Sequence, residues 1–272
     1  NSGIYSAGLG YYSLTSNSGS TSTGCGYYAG FSNSGDRATA VGGSALYDNS
    51  GDDCTGVGYY TQFLASGVRA ASLGYYSLYQ NAGADNTAIG ANSGRYQSGG
   101  TTGLTNATTS VFLGGSTKGV AASANQIVIG YLAESVGANS AVLGNSSITT
   151  TVLRGSVGVG TTTPNANSVL DLTSTTKAFI PPRMSTAQKN ALASPTAGMM
   201  VYDSTLNALA VYTGGAWASA GGGGGAFDAD ANTLITPSTA IVLGQATGNE
   251  AALSLDYTTN KATSGDDTGL LI

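Results

Sequence analysis

The sequence predicts an all-β chain built as a parallel β-roll or β-solenoid, followed by a small mixed module. Three observations carry that expectation. Glycines recur every sixteen residues through the first hundred residues, in two separate series. Ahead of one series, apolar and very small residues alternate with period two. The composition suits closely stacked strands: glycine is 42 of 272 residues, hydrophobic residues make up 41% and charged residues only 8%, where a globular domain usually carries about 25% charged residues.

The first series is Gly10, Gly26, Gly42, Gly58, Gly74 and Gly90. The second is Gly19, Gly35, Gly51, Gly67, Gly83 and Gly99. A period held over six copies is the mark of a solenoid. Before each glycine of the first series stands an apolar residue: Leu9, Cys25, Val41, Val57, Leu73, Ile89. One position earlier only small residues occur: Gly8, Gly24, Ala40, Gly56, Ser72, Ala88. Two-residue periodicity predicts a strand of about five residues in each coil. The apolar column is expected to face a core, Cys25 included, and the small column to face a closely approaching backbone. The glycine then turns the chain with a backbone angle that other residues resist. A second short strand and a second glycine turn complete a coil of about sixteen residues, each stacking ~4.8 Å above the last. A coil this thin buries little by itself, so self-association into a symmetric oligomer is expected.

Aromatic residues follow the same register. Tyr11, Tyr27, Tyr59 and Tyr75 share one column, and Tyr12, Tyr28, Tyr60 and Tyr76 the next; Phe31, Tyr47, Phe63 and Tyr79 form a third. Neighbours in a strand point to opposite faces. One tyrosine column is therefore expected inside the coil or between subunits, and the other on the outside. The main role expected of them is to stabilise the stack, with either column as a candidate for receptor or glycan contact.

Residues 1–100 are the regular repeats and 101–160 a looser continuation. There the corresponding glycines are Gly114, Gly130, Gly144 and Gly160, and the step of 24 from Gly90 to Gly114 predicts an eight-residue excursion in "RYQSGGTTGLTNATTS". Residues 161–220 form the small module. Ser185 and Gln188 make a capping box for a short helix from Thr186 to Ala193, and Pro195 follows its end. "GMMVYD" and "ALAVYT" predict a hairpin joined by Ser204 to Asn207, and Trp217 is expected to anchor a small core, within the module or between subunits. Gly221 to Gly225 is a linker, and 226–272 resumes the strand-and-glycine style as a further β stalk. The chain opens on Asn inside a running pattern and stops within another, which predicts a piece of something longer.

Two resemblances sharpen this. "DNTAIGANSGRYQSG" from Asp85, "NQIVIGYLAESVG" from Asn125 and "NSAVLGNSS" from Asn139 resemble the head repeats of trimeric autotransporter adhesins. That family folds as a trimer of left-handed parallel β-rolls, and the same repeats occur in bacteriophage tail fibres. Val157 to Ser219, with its Gly-Thr-x-x-Pro, Leu-Asp-Leu and Pro-Pro-Arg-Met segments, resembles a module of phage tail and fibre proteins. Together they imply an elongated homotrimeric tail fibre of the virion. The partners implied are other tail proteins and a host surface glycan or protein. The alternative is an adhesin of the bacterial cell surface.

Chemistry is sparse. There is no histidine and the net charge is −5, so Ser-His-Asp catalysis, most zinc sites and binding to nucleic acid are disfavoured. No apolar run approaches the ~20 residues of a membrane helix. Asp52/Asp53 and Asp266/Asp267 are adjacent acids, better suited to solvated turns than to the paired carboxylates of a glycan-degrading tailspike. "DADAN" at Asp228 opens like a calcium loop but continues with Thr233 and Thr239, where the loop needs Gly and Glu. Cys25 and Cys54, almost two coils apart, are too distant for a disulfide. No catalytic residue, metal site or cofactor is expected.

Overall fold

The computed structural model describes residues 2–220. The chain divides into two compact units, Asn1–Asp171 and Leu172–Ile272. Gly221–Gly225, the stalk expected over 226–272, the Asp228–Asn232 stretch and Asp266/Asp267 lie outside the described residues.

The first unit is a parallel β-solenoid. Its strands are β1 (Ala7–Leu9), β2 (Thr23–Cys25), β3 (Thr39–Val41), β4 (Thr55–Val57), β5 (Ala71–Leu73), β6 (Thr87–Ile89), β7 (Tyr96–Gln97), β8 (Val111–Leu113), β9 (Lys118–Gly119), β10 (Gln126–Ile129) and β11 (Ser140–Leu143). Nine of them form one sheet in the order β1-β2-β3-β4-β5-β6-β8-β10-β11. Register is the sequence period itself: Leu9 pairs with Cys25, Cys25 with Val41, Val41 with Val57, Val57 with Leu73 and Leu73 with Ile89. A small pair, β12 (Val157–Val159) with β13 (Leu170–Leu172), follows.

Both glycine series exist because successive coils touch there. Gly58 has φ +135°, and a Cβ on it would lie 2.5 Å from the carbonyl oxygen of Gly74 in the next coil. Gly35 has an ordinary φ, yet its Cβ would meet the Gly51 carbonyl oxygen at 2.0 Å. The first series needs both the angle and the space; the second, from Gly19 to Gly83, needs the space alone, whereas Gly99 in the excursion has φ +78° and an open Cβ position.

Four expectations are corrected. The repeat strands are three residues long, because the glycine corner ends each one. The second short strand is absent from the regular coils. In its place alternate residues adopt positive φ, as in Ser44 (+51°), Leu46 (+51°) and Asp48 (+50°). Each such residue costs about 1–2 kcal/mol, and hydrogen bonds to both neighbouring coils offset it: Leu46 N–H donates to Thr61 O at 3.0 Å and Ser44 N–H to Tyr27 O at 2.8 Å.

The third correction concerns what faces inward. The small column is buried and the apolar column is outside. Ala40, Ser72 and Ala88 are buried, whereas Leu9 is 73% and Leu73 49% exposed, and Cys25 is exposed. The close neighbour of the small column is the opposite wall of the same coil: a Cβ on Gly56 would sit 3.2 Å from Leu46 Cγ, and one on Gly24 2.9 Å from Leu14 Cγ. The interior has room for little else. Its main column runs Leu14, Gly30, Leu46, Gln62, Leu78, Gly94, so a leucine fills it in every second coil. Gln62 is held by hydrogen bonds from Nε2 to Thr55 O and Ser72 Oγ, both 2.8 Å. The packing repeat is thus two coils. Beside it runs a buried asparagine ladder of Asn17, Asn33, Asn49 and Asn81, in which Asn33 Nδ2 donates to Asn17 Oδ1 at 3.0 Å.

Past β6 the coil widens. Phe112 and Val128 occupy the small column and are fully buried. The eight-residue excursion is a short hairpin in which Gln97 N–H donates to Thr102 O, and it returns to bury Leu104 in the core. Glu134 holds its tip, accepting from Gly99 N–H at 2.7 Å while pairing with Lys118 at 2.7 Å.

In the second unit β14 (Arg183–Met184) leads into α1 (Thr186–Asn190), shorter than expected, and then β15 (Met200–Asp203), β16 (Ala208–Tyr212) and β17 (Trp217–Ser219). The capping box is present, with Gln188 N–H donating to Ser185 Oγ and Ser185 N–H to Gln188 Oε1. The sheet order is β14-β15-β16-β17, with β15 and β16 antiparallel across Ser204–Asn207. In the fourth correction, Trp217 anchors no core within its own chain: it is half-buried there, flanked by Tyr212 at 5.3 Å and Lys189. Val201 and Ala210 are the buried apolar residues among those described.

Candidate interaction surfaces

The outward face of the nine-stranded sheet carries two columns. One is Leu9, Cys25, Val41, Val57, Leu73, Ile89, Leu113, Ile129 and Leu143; the other turns from Ala and Thr in the early coils to Val111 and Ile127. Leu9, Val41, Leu73, Ile89, Ile127 and Leu143 are all exposed. Nine strands at ~4.8 Å make a stripe roughly 38 Å long. A contiguous apolar stripe of that length marks an interaction surface.

The aromatic columns stand just around the glycine corner from that stripe. Tyr11 and Tyr12 do not point to opposite faces: their rings meet edge to face at 4.2 Å, as do Tyr59 and Tyr60 at 4.3 Å. Opposite faces require extended backbone, and Tyr12, Tyr28, Tyr60 and Tyr76 all have φ near +55°. No column therefore enters the coil. All three lie outside as one sheet of rings, stacked along the coil axis at 5.7 Å for Tyr11–Tyr27, 5.1 Å for Tyr60–Tyr76 and 4.9 Å for Tyr47–Phe63. Arg95 closes one end, its guanidinium 4.0 Å from the Tyr76 ring centre and 5.2 Å from that of Tyr79. Hydrogen bonding to Tyr12 pushes the Tyr11 phenol up, and desolvation pushes those of Tyr28 and Tyr76 up.

Asp52 and Asp53 belong to a ladder of carboxylates that runs along the coils. Asp53 takes a two-pronged ion pair from Arg37 and Asp85 one from Arg69, the Nη2 contacts being 2.8 and 2.7 Å. The guanidinium holds each acid below the usual carboxylate range. Asp52 accepts from Asp36 N–H at 2.8 Å. Both cysteines are free. Cys54 is buried with its sulfur 3.1 Å from Gly67 O, and burial pushes its thiol up. Among the described residues no group of His, Cys, Asp or Glu could hold a metal ion, and no helix is long and apolar enough to cross a membrane.

Sequence reasoning missed one feature of the second unit. Lys189 and Asp203 are both buried and pair at 2.7 Å. Thr186 Oγ1 and the backbone N–H groups of Thr205 and Leu206 also donate to that carboxylate. Lys189 first, then these donors, hold Asp203 far below the ordinary range. The pair ties α1 to the β15–β16 hairpin. Beside it a cleft of about 540 Å³ is lined by Lys189, Leu192, Pro195, Tyr212 and Trp217.

Residues 158–237 match the phage tail like trimerisation region. The match takes in β13 through β17 together with α1, and it agrees with the resemblance of Val157 to Ser219 to a phage tail and fibre module. No curated protein and no solved structure matches the chain.

Proposed function

We propose that the chain is a shaft segment of a homotrimeric phage tail fibre, a non-enzymatic part of the virion that serves host attachment. The observation that carries this is the exposed apolar stripe of the solenoid in a chain that also contains a trimerisation region. Three parallel chains held together at residues 158–237 bring three such stripes together. Burying a half-exposed leucine such as Leu73 contributes about 1 kcal/mol, and the column repeats it coil after coil. The assembled shaft is stiff because its coils are joined by backbone hydrogen bonds and aromatic stacking. Threefold presentation of weak contacts raises avidity without any new contact. Its partners are other copies of itself, neighbouring tail proteins and a host surface glycan or protein. Immunogold labelling with antiserum against the chain tests the placement. Gold on a tail appendage of virions is expected; gold confined to the bacterial envelope would favour the adhesin reading.

A further inference from the structure

The sheet of the second unit has two apolar faces, and α1 covers only one of them. Cross-strand register sorts the side chains. Val201 pairs with Ala210 and Asp203 with Ala208; Met200 pairs with Val211, Val211 with Ala218, and Tyr202 with Leu209. Paired residues share a face, and successive residues alternate between faces. One face therefore carries Val201, Asp203 and Ala210, all buried. The helix packs there: Lys189 reaches Asp203 at 2.7 Å, and Thr186 Oγ1 donates to the same carboxylate at 2.8 Å. The other face carries Met200, Tyr202, Leu209, Val211 and Ala218.

That second face is bare. Met200 is 46% exposed, Ala218 is exposed, and Tyr202, Leu209 and Val211 are half-buried. Residues 172–180, which lead toward β14, are exposed throughout, as a segment packed on the face would not be. An antiparallel sheet with one face in water normally alternates apolar and polar residues. "MVY" and "LAVY" in β15 and β16 do not. Among the described residues the one charge on the bare face is Arg183, level with Tyr202 at the β14 edge. These strands lie within the residues that match the trimerisation region. We infer that the bare face of the β15–β16–β17 sheet is the surface through which this region trimerises, each copy turning Met200, Tyr202, Leu209, Val211 and Ala218 toward the same residues of two others. In a closed threefold ring, a face turned toward the axis meets the same face of both partners. One apolar surface then suffices, and α1 with the cleft beside Trp217 stays outside. This rests on the homotrimeric reading and names the surface that closes the trimer.

The test is a photo-cross-link in the whole chain. The photoreactive residue p-benzoylphenylalanine replaces Met200 on the bare face or, separately, Asn190, which is exposed on α1. Each protein is irradiated, resolved on denaturing gels and mapped by mass spectrometry. Position 200 should join chains to one another, with adducts on β15, β16 or β17 of the partner, and position 190 should not. Val211→Lys should weaken association at least tenfold by sedimentation with the β circular dichroism unchanged, whereas Asn190→Lys should leave association as it is. Cross-links between chains from position 190 and none from position 200 would move the interface to the cleft beside Trp217 and overturn the inference. So would a Val211→Lys trimer as tight as the parent. A parent trimer that gives no adduct from position 200 refutes the face alone, while a parent that sediments as a folded monomer refutes the homotrimer as well.

Discussion

Leu46→Ala separates the interior of the coil from its apolar exterior. Leu46 is 0% exposed and fills its own coil, while Gly30 holds the matching position of the preceding coil and the buried Gln62 that of the following one. Removing a buried leucine side chain costs about 2–5 kcal/mol, more where the surroundings cannot collapse into the cavity. Here they cannot. Coil spacing is set by backbone bonds such as Gly30 N–H to Ala45 O at 2.9 Å and Leu46 N–H to Thr61 O at 3.0 Å. A cost of ~4 kcal/mol is expected, about a thousandfold in an equilibrium constant. Because a solenoid opens locally, the assay is amide hydrogen exchange at Gly30, Leu46 and Gln62 in the assembled protein. Exchange there should speed up by about a thousandfold, with amides of β10 and β11 much less affected. A change below about tenfold, or one spread evenly along the chain, would refute the two-coil packing repeat.

Three more outcomes follow from the same structure. Gly58→Ala combines a disallowed angle, worth about 1–3 kcal/mol, with a clash against the Gly74 carbonyl; it should lower the thermal midpoint of the solenoid, and an unchanged midpoint would show that the corner relaxes. Leu73→Asp should leave the circular dichroism of the β coils intact while weakening association at least tenfold by sedimentation; an unchanged oligomer would remove the stripe from the interface. The third concerns acid. Asp53, Asp85, Glu134 and Asp203 all have lowered folded-state pKa values, so their contribution is present above the unfolded carboxylate range near pH 4 and is lost as pH falls through the folded values. Thermal midpoints should be level between pH 7 and 5 and drop below about pH 4, with Asp203→Asn blunting the drop for the second unit; a fall on raising pH from 5 to 7 would contradict the assignment.

Periodicity was legible because it follows from contact between identical positions. Gly10 and Gly26 recur every sixteen residues since each meets its own copy one coil on, and the strand register repeats that number. Ser185, Gln188 and the Ser204–Asn207 turn were legible because capping and hairpins are local. What faces inward was not. The rule that sends apolar residues inside presumes an interior large enough for them, and this coil holds one leucine in every second turn. Leu14, Leu46 and Leu78, spaced by two coils, carried that signal. The tyrosine pairs misled because alternation of faces is a property of extended backbone, and nothing in "GYYSL" announces a positive φ at the second tyrosine. Lys189 and Asp203 are a single lysine and a single aspartate on different elements, and only the folded hairpin brings them together.

The central claim is that three copies associate through the apolar stripe and the trimerisation region. Sedimentation velocity of the whole chain at micromolar concentration tests it most directly. A single species of three chain masses is predicted; a folded monomer with an intact β signal would contradict it.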